Sequence, residues 1–322
     1  MSLNCLFLTV FLFISPCLFA QQLDSNLINQ QFVDRYKENG ELSYTSPLSE
    51  IGAPSKYIIS GKLTTTYMLL GTKNSPIAFA VIPEFTVRVR NEQSAGVRTP
   101  SFKLGGSTFI RLNKNINNYK YAELSFTHHS NGQDGEAVNA NSTINTYNGN
   151  FSTNYLTTSY RFGSFSNKNQ DEDYSSNNHR IGLQWNKWFA YEKALDNNYG
   201  FTRLLYNFSW RRYAFYFSEK KNGWKRKAND EPKAQKLEKE YLRFNTEISY
   251  AVNKIQNYGL IAPKKRLNAE LSIHYSLPFM NNVFLMAAAG YYGEDPYNIY
   301  FNDKYAYTRF GISTGFIKYN IN

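Results

Sequence analysis

Two short stretches of this chain carry side chains that could perform acyl-transfer chemistry together. The first reads Phe126-Thr127-His128-His129-Ser130-Asn131-Gly132. In an extended strand His128 and Ser130 are two residues apart and share a face, with Cβ atoms roughly 6.5–7 Å apart. An imidazole can span that gap and act as general base for the hydroxyl. The second stretch reads Ser152-Thr153-Asn154-Tyr155-Leu156-Thr157-Thr158. An amide at Asn154 could hold the imidazole in one tautomer, the role an acidic residue plays in a standard serine triad. Asn145 and Asn148, in the intervening loop, are rival candidates for that role.

To act together these groups must stand on neighbouring strands. Strand-like segments separated by turn signals recur at about 41–48, 57–71, 76–91, 99–114, 118–130, 151–163, 179–192, 201–217, 239–253, 265–277, 282–293 and 305–318. Twelve is an even number, which suits a closed transmembrane antiparallel β-barrel with both ends in the periplasm. Segment 118–130 shows the wall alternation most clearly. Its even positions run Ala122, Leu124, Phe126, His128, Ser130, and its odd positions run Tyr121, Glu123, Ser125, Thr127, His129. The even set is therefore expected to face lipid and the odd set the lumen. Asn154 shares the lipid-facing parity of its own segment. A His and a Ser on that face also fit a bland reading, in which they mark the polar headgroup zone, and periodicity alone favours it. Three matched polar groups on one patch shift the balance towards chemistry. The stretches 164–178 and 218–238 would be periplasmic turns, which are normally short. The second is charged and could hold a short helix, so either the count is off by a hairpin or these are insertions.

Composition supports an all-β membrane protein. Aromatic residues make up 17% of the chain, and the mean hydropathy is −0.52. That hydropathy excludes a helical membrane bundle, as does the lack of any apolar run of 18 or more residues after the first 20. Abundant strand-forming aromatics and only 10 prolines argue against disorder. Residues 1–20 read as a secretory signal cut after Ala20, which leaves 21–322 as one barrel domain. Cys17 also allows a lipoprotein reading, but Pro16 before it fits badly. Both cysteines, Cys5 and Cys17, lie in this leader, so the mature chain is expected to lack disulfides, thiol catalysis and cysteine-ligated metals. The net charge of +11 suits anionic lipid headgroups and lipopolysaccharide, or reflects solvated Lys-rich turns such as Lys225-Arg226-Lys227. No nucleic-acid partner is expected.

With these motifs the sequence resembles the outer membrane phospholipase A family. The family's His-x-Ser-Asn-Gly motif stands as His128-His129-Ser130-Asn131-Gly132, and its Ser-x-Asn-x-Leu-x-Thr motif as Ser152 to Thr158. A third match runs through Gly290-Tyr291-Tyr292-Gly293-Glu294, Tyr297-Asn298, Phe301-Asn302 and Thr308-Arg309-Phe310-Gly311. The resemblance implies a twelve-stranded barrel in the outer membrane of a Gram-negative bacterium, with its triad on the outer face. It implies calcium-dependent hydrolysis of phospholipid acyl esters, of A1 and A2 type, activated by reversible homodimerisation among outer-membrane lipids. Carried over residue by residue, Ser130 is the nucleophile, His128 the base and Asn154 the orienting amide. The Gly132 N–H would contribute to the oxyanion hole, with calcium-bound water as its partner donor. The implied calcium ligands are Ser94, the Gln133 carbonyl and the Asn150 side chain, an oxygen-only set that suits this cation.

The chain also departs from the family. Gln133-Asp134 stands where the family usually has Arg after the motif glycine, and the loop from Ser130 to Asn154 is longer than usual. Asp134 and Glu136 could add carboxylate ligands or be solvated loop charges. His129, His179 and His274 are expected to be structural. Two other functions compete. A lipopolysaccharide deacylase would pair a His-x-Ser with an acidic residue rather than an amide. A porin-like barrel would need no lipid-facing His/Ser pair at all.

Overall fold

A strand that crosses a bilayer must hand every backbone N–H and C=O to a neighbour, and only a closed ring leaves no edge unpaired. The computed structural model, which describes residues 25–53, 57–71, 74–91, 97, 100–166, 173–187, 191–219, 234–280, 282–292 and 304–315, forms such a ring. Its strands are β1 (Ser43–Pro47), β2 (Tyr57–Thr64), β3 (Tyr67–Leu70), β4 (Ile77–Arg90), β5 (Ser101–Arg111), β6 (Asn118–Ser130) and β7 (Thr153–Ser166). They continue as β8 (Tyr174–Trp185), β9 (Thr202–Glu219), β10 (Ala234–Ala251), β11 (Leu267–Tyr275), β12 (Val283–Tyr292) and β13 (Tyr305–Thr314). Consecutive strands pair antiparallel except β2 and β3, which both pair with β4, and β1 closes the ring on β13 through Ser43 to Thr45.

The expected segment 57–71 is broken. β2 and β3 both lie along β4, β2 against residues 84–90 and β3 against 79–81. They are two halves of one stave, so the barrel has twelve. Other boundaries also differ from the sequence expectation. β8 begins at Tyr174 rather than 179 because its polar run alternates into the lumen, where Tyr174, Ser176 and Asn178 are buried. It ends at Trp185 rather than 192, although the next residue still follows the β8–β9 register, the Asn186 N–H donating to Phe201 O at 2.7 Å. The long connections shrink accordingly. β7 reaches Ser166, β9 reaches Glu219 and β10 starts at Ala234. The expected short helix in 218–238 falls largely on 220–233, which with the leader 1–20 lies outside the described residues.

One element had no counterpart in the sequence reading: helix α1 (Ser25–Glu38), which inserts into the barrel. Phe32, Val33 and Tyr36 pack on Ala78, Ala80, Phe109, Tyr119 and Tyr121, all at the end of the barrel opposite Ser130. The Tyr36 ring stacks on Phe109 with centroids 3.9 Å apart, and Phe32 meets Tyr121 edge-on at 5.2 Å. The helix backbone is tied as well, because the Tyr121 hydroxyl donates to Phe32 O at 2.9 Å.

Above the helix the lumen is filled by paired charges around a cavity of about 410 Å³. Glu123 is the hub. It accepts from the hydroxyls of Tyr36, Ser107 and Ser159 at 3.0, 2.7 and 2.9 Å and from Arg161 Nε at 2.7 Å. A second cluster joins Glu50 to Arg88 and Arg309, and Arg309 to Glu270. A buried carboxylate is tolerable only with such partners, so these clusters tie several staves together. At the far end Ala137, Phe151, Leu195, Tyr199 and Phe201 form a separate small core under the loops.

Tyr36→Ala removes both the aromatic stack on Phe109 and a hydrogen-bond donor to Glu123. Loss of a large buried aromatic typically costs roughly 3–5 kcal/mol. The expected outcome is a lower temperature for the heat-induced shift in gel migration. An unchanged transition would show that α1 does not hold the barrel.

Candidate active site

The site is assembled by the register of three strands. β6 pairs with β5 so that Ser130 opposes Phe102 and His128 opposes Leu104. On its other side β6 pairs with β7 so that His128 opposes Asn154 and His129 opposes Thr153. The alternation follows the sequence expectation: Leu124 and His128 are exposed, whereas Tyr121, Glu123 and His129 are buried in the lumen. The outward surface around His128 and Ser130 is apolar, with Phe102, Leu104, Leu124 and Trp185 exposed on it.

The structure brings His128 and Asn154 into direct contact. His128 Nδ1 lies 2.8 Å from Asn154 Oδ1. An N–H at Nδ1 then donates to the amide oxygen and leaves Nε2 as the basic nitrogen. Asn154 is 8% exposed, so its amide is held by its surroundings rather than by solvent. The rival amides point elsewhere. Asn145 Nδ2 donates to Glu136 O and to Asn148 Oδ1, at 2.9 and 2.8 Å, inside their own loop.

Ser130 is half-buried at the end of β6, and its hydroxyl is not hydrogen-bonded to the imidazole. Its Oγ instead accepts from the Gly132 N–H at 3.1 Å and from Ser152 Oγ at 3.3 Å. Gly132 has φ +66°, a left-handed conformation that costs glycine little and turns its N–H back towards Ser130. Catalytic hydrogen bonds in free enzymes are often unformed until substrate arrives, so this geometry is compatible with a His128–Ser130 pair.

Two residues beside these went unnoticed in the sequence as parts of the site. Asn131 is fully buried and staples the long loop: its Nδ2 donates to Gly149 O at 2.8 Å and its Oδ1 accepts from the Phe151 N–H at 3.2 Å. Ser152 reaches Ser130 directly. Both stood inside the quoted motifs, which was the available signal. A third, Lys187, forms an isolated parallel backbone bridge with Asn154 just beyond the β7–β8 ladder. Its ammonium lies 2.6 Å from Asp196, and that hydrogen bond holds it protonated beyond the ordinary lysine range.

Of the expected calcium ligands, Ser94 lies outside the described residues. Gln133 and Asn150 are both half-buried in the loop after Ser130. Asn150 Oδ1 accepts the Ser152 N–H at 2.9 Å, which ties it to the segment that touches Ser130. Among the described residues no group of three or more His, Cys, Asp or Glu side chains could hold a metal, so a cation here would rest largely on carbonyl and amide oxygens such as those of Gln133 and Asn150. That donor chemistry fits calcium. The expected structural histidines all have partners: His129 Nε2 lies 2.8 Å from Ser101 Oγ, His274 Nδ1 2.7 Å from Ser313 Oγ, and His179 stacks on Phe162. The C-terminal match serves the wall, with Arg309 in the lumen clusters and Gly290 against the Tyr307 ring, where a Cβ would collide. Its residues 293–303 lie outside the described residues.

No family model matches the sequence, and no curated protein matches it. The fold does have known counterparts. An active-site mutant of outer membrane phospholipase A from Escherichia coli, at pH 6.1, matches with a TM-score of 0.55 at 11% identity, covering 90% of this chain and 98% of that one. A second structure of the E. coli protein matches at 0.53 and 12% identity, over 85% and 90% of the two chains. The Salmonella typhi outer membrane phospholipase, a dimer with bound calcium, matches at 0.55 and 12% identity, over 90% and 98%. This chain therefore has the barrel fold of those proteins.

An orienting role for Asn154 in acyl transfer predicts that Asn154→Ala lowers the turnover of ester hydrolysis on the order of 10²-fold, because a misoriented base forfeits part of its acid–base contribution. Asn145→Ala and Asn148→Ala should stay near wild type. A dead Asn148→Ala beside a normal Asn154→Ala would reverse the assignment.

Proposed function

We propose that this chain is an integral outer-membrane phospholipase that hydrolyses phospholipid acyl esters, of A1 and A2 type, with a Ser130–His128–Asn154 triad on its lipid-facing surface. The observation that carries the reading is the 2.8 Å contact of His128 Nδ1 with Asn154 Oδ1, on the outward face and beside Ser130. The shared fold with outer membrane phospholipases supports it. Residues 1–20 are the signal that directs export, and the working form is a reversible homodimer.

Catalysis begins when Ser130 turns from its Gly132 and Ser152 donors to face His128 Nε2. As Oγ bonds to the ester carbon, Nε2 takes its proton and the carbonyl π pair moves onto oxygen. Gly132 N–H donates to that oxyanion. The adduct collapses, the glycerol oxygen leaves and receives the proton from Nε2, and an acyl-enzyme remains. Water then repeats the sequence: it gives its proton to Nε2, attacks the acyl carbon, and releases fatty acid as Ser130 recovers the proton. Asn154 keeps the Nδ1 proton in place throughout. Calcium, held by the Gln133 carbonyl, the Asn150 amide oxygen and Ser94, would supply positive charge near the developing oxyanion.

The competing functions have less support. A deacylase with an acidic triad member would need a carboxylate where Asn154 stands. A porin would need an open lumen, whereas α1 and the Glu123 cluster occupy it.

Ser130→Ala should abolish fatty-acid release from mixed phospholipid micelles while heat-modifiable gel migration stays normal. Most activity remaining in the folded variant would sink the nucleophile assignment. Excess chelator should stop hydrolysis, with recovery in calcium rather than magnesium, since irregular neutral-oxygen sites suit the larger ion. Asn150→Ala should raise the calcium concentration for half activity. Full wild-type turnover in chelator would refute the metal and leave the triad standing.

A further inference from the structure

We infer that the Ser152 hydroxyl is an oxyanion donor of this site, acting beside the Gly132 N–H. The inference rests on Ser130 being the nucleophile. Two donors converge on Ser130 Oγ in the resting structure: Gly132 N–H at 3.1 Å and Ser152 Oγ at 3.3 Å. In the tetrahedral adduct the oxyanion and Oγ are bound to the same carbon, so donors already aimed at one lie next to the other. Both would shift from Oγ, where they weaken attack, to the oxyanion, where they stabilise charge. Such an interaction is stronger in the transition state than in the ground state, which is the requirement for raising turnover.

The surroundings hold Ser152 for this task. Thr153, its neighbour, is buried towards the lumen and opposes His129, so Ser152 faces outward with the parity of Asn154. Its backbone N–H is fixed to Asn150 Oδ1, and the residue before it, Phe151, is clamped by Asn131 and is fully buried. Among the described residues its hydroxyl donates to Ser130 alone. A hydroxyl that only capped the loop would bond backbone groups of the loop; this one bonds the nucleophile.

The test uses the full chain in mixed phospholipid micelles at saturating calcium. Ser152→Ala should lower kcat on the order of 10²-fold, the usual loss for one oxyanion donor, with KM little changed. Ser152→Thr, which keeps the hydroxyl, should recover most of the rate. An alkyl fluorophosphonate, whose phosphoryl oxygen occupies the oxyanion position after Ser130 displaces fluoride, should label Ser152→Ala more slowly by a similar factor. Wild-type kcat in folded Ser152→Ala overturns the inference, as does a loss confined to KM. An equal loss in the Ala and Thr variants overturns it too, and so does full rescue by raised calcium, which would make Ser152 a metal-site residue. Failure of the underlying reading is distinct: the wild type would then not be labelled at Ser130, and Ser130→Ala would stay active.

Discussion

Closing the staves into a ring makes each strand take its register from two neighbours at once, and β6 is where this matters most. Ser130 is fixed opposite Phe102 and His128 opposite Asn154. Side chains alternate with a period of two, so a slip by one residue in either ladder would turn His128 and Ser130 into the lumen and carry His129 outward. The lumen guards against that slip. Glu123, on the opposite face of the same strand, is bonded to Tyr36 of α1, Ser107 of β5, and Ser159 and Arg161 of β7. A shifted register would strand a carboxylate against the apolar exterior. The ion cluster inside and the polar group outside are thus two consequences of one pairing.

The interior is taken up at both ends, by α1 at one and by the small core around Phe151 and Phe201 at the other, while the proposed polar group stands on the outer face. The second core has a direct link to the site. Phe151 is fully buried in it, and Ser152 follows immediately. Packing between the 131–152 loop and Leu195, Tyr199 and Phe201 therefore sets where the Ser152 hydroxyl lies. The loop's extra length does not loosen it, because Asn131 bonds both Gly149 and Phe151 across it.

The wall was legible in the sequence wherever a segment alternated cleanly, and 118–130 predicts both faces of β6. Legibility failed where the lumen is polar. Ser175, Ser176, Asn177 and Asn178 look like a loop, yet they continue β8: Ser176 and Asn178 line the polar lumen, and Ser175 and Asn177 bond Ser166 and Ser164 of β7. It failed again for α1, whose Phe32, Val33 and Tyr36 give too short an apolar stripe to stand out before the barrel that receives it is known. At the candidate site the motif spacing brought His128, Ser130 and Asn154 to notice. Ser152 stood in the same motif without a visible reason, since its hydrogen bond to Ser130 depends on a loop conformation that spacing does not encode.

An amide in the position usually filled by a carboxylate suits the proposed chemistry at this location. Asn154 is nearly buried at the edge of an apolar outer wall, where an unpaired carboxylate would carry a heavy desolvation cost. Lys187, whose backbone bridges to Asn154, is already ion-paired with Asp196 and lies over the rings of Tyr191 and Phe201. A neutral amide oxygen still accepts the Nδ1 proton and fixes the tautomer, which is the orienting part of the triad's work. It does less to stabilise the imidazolium that forms in the transition state. The deficit falls on the oxyanion side, where additional donors gain value. The convergence of Gly132 and Ser152 on one oxygen is the arrangement that such a balance calls for.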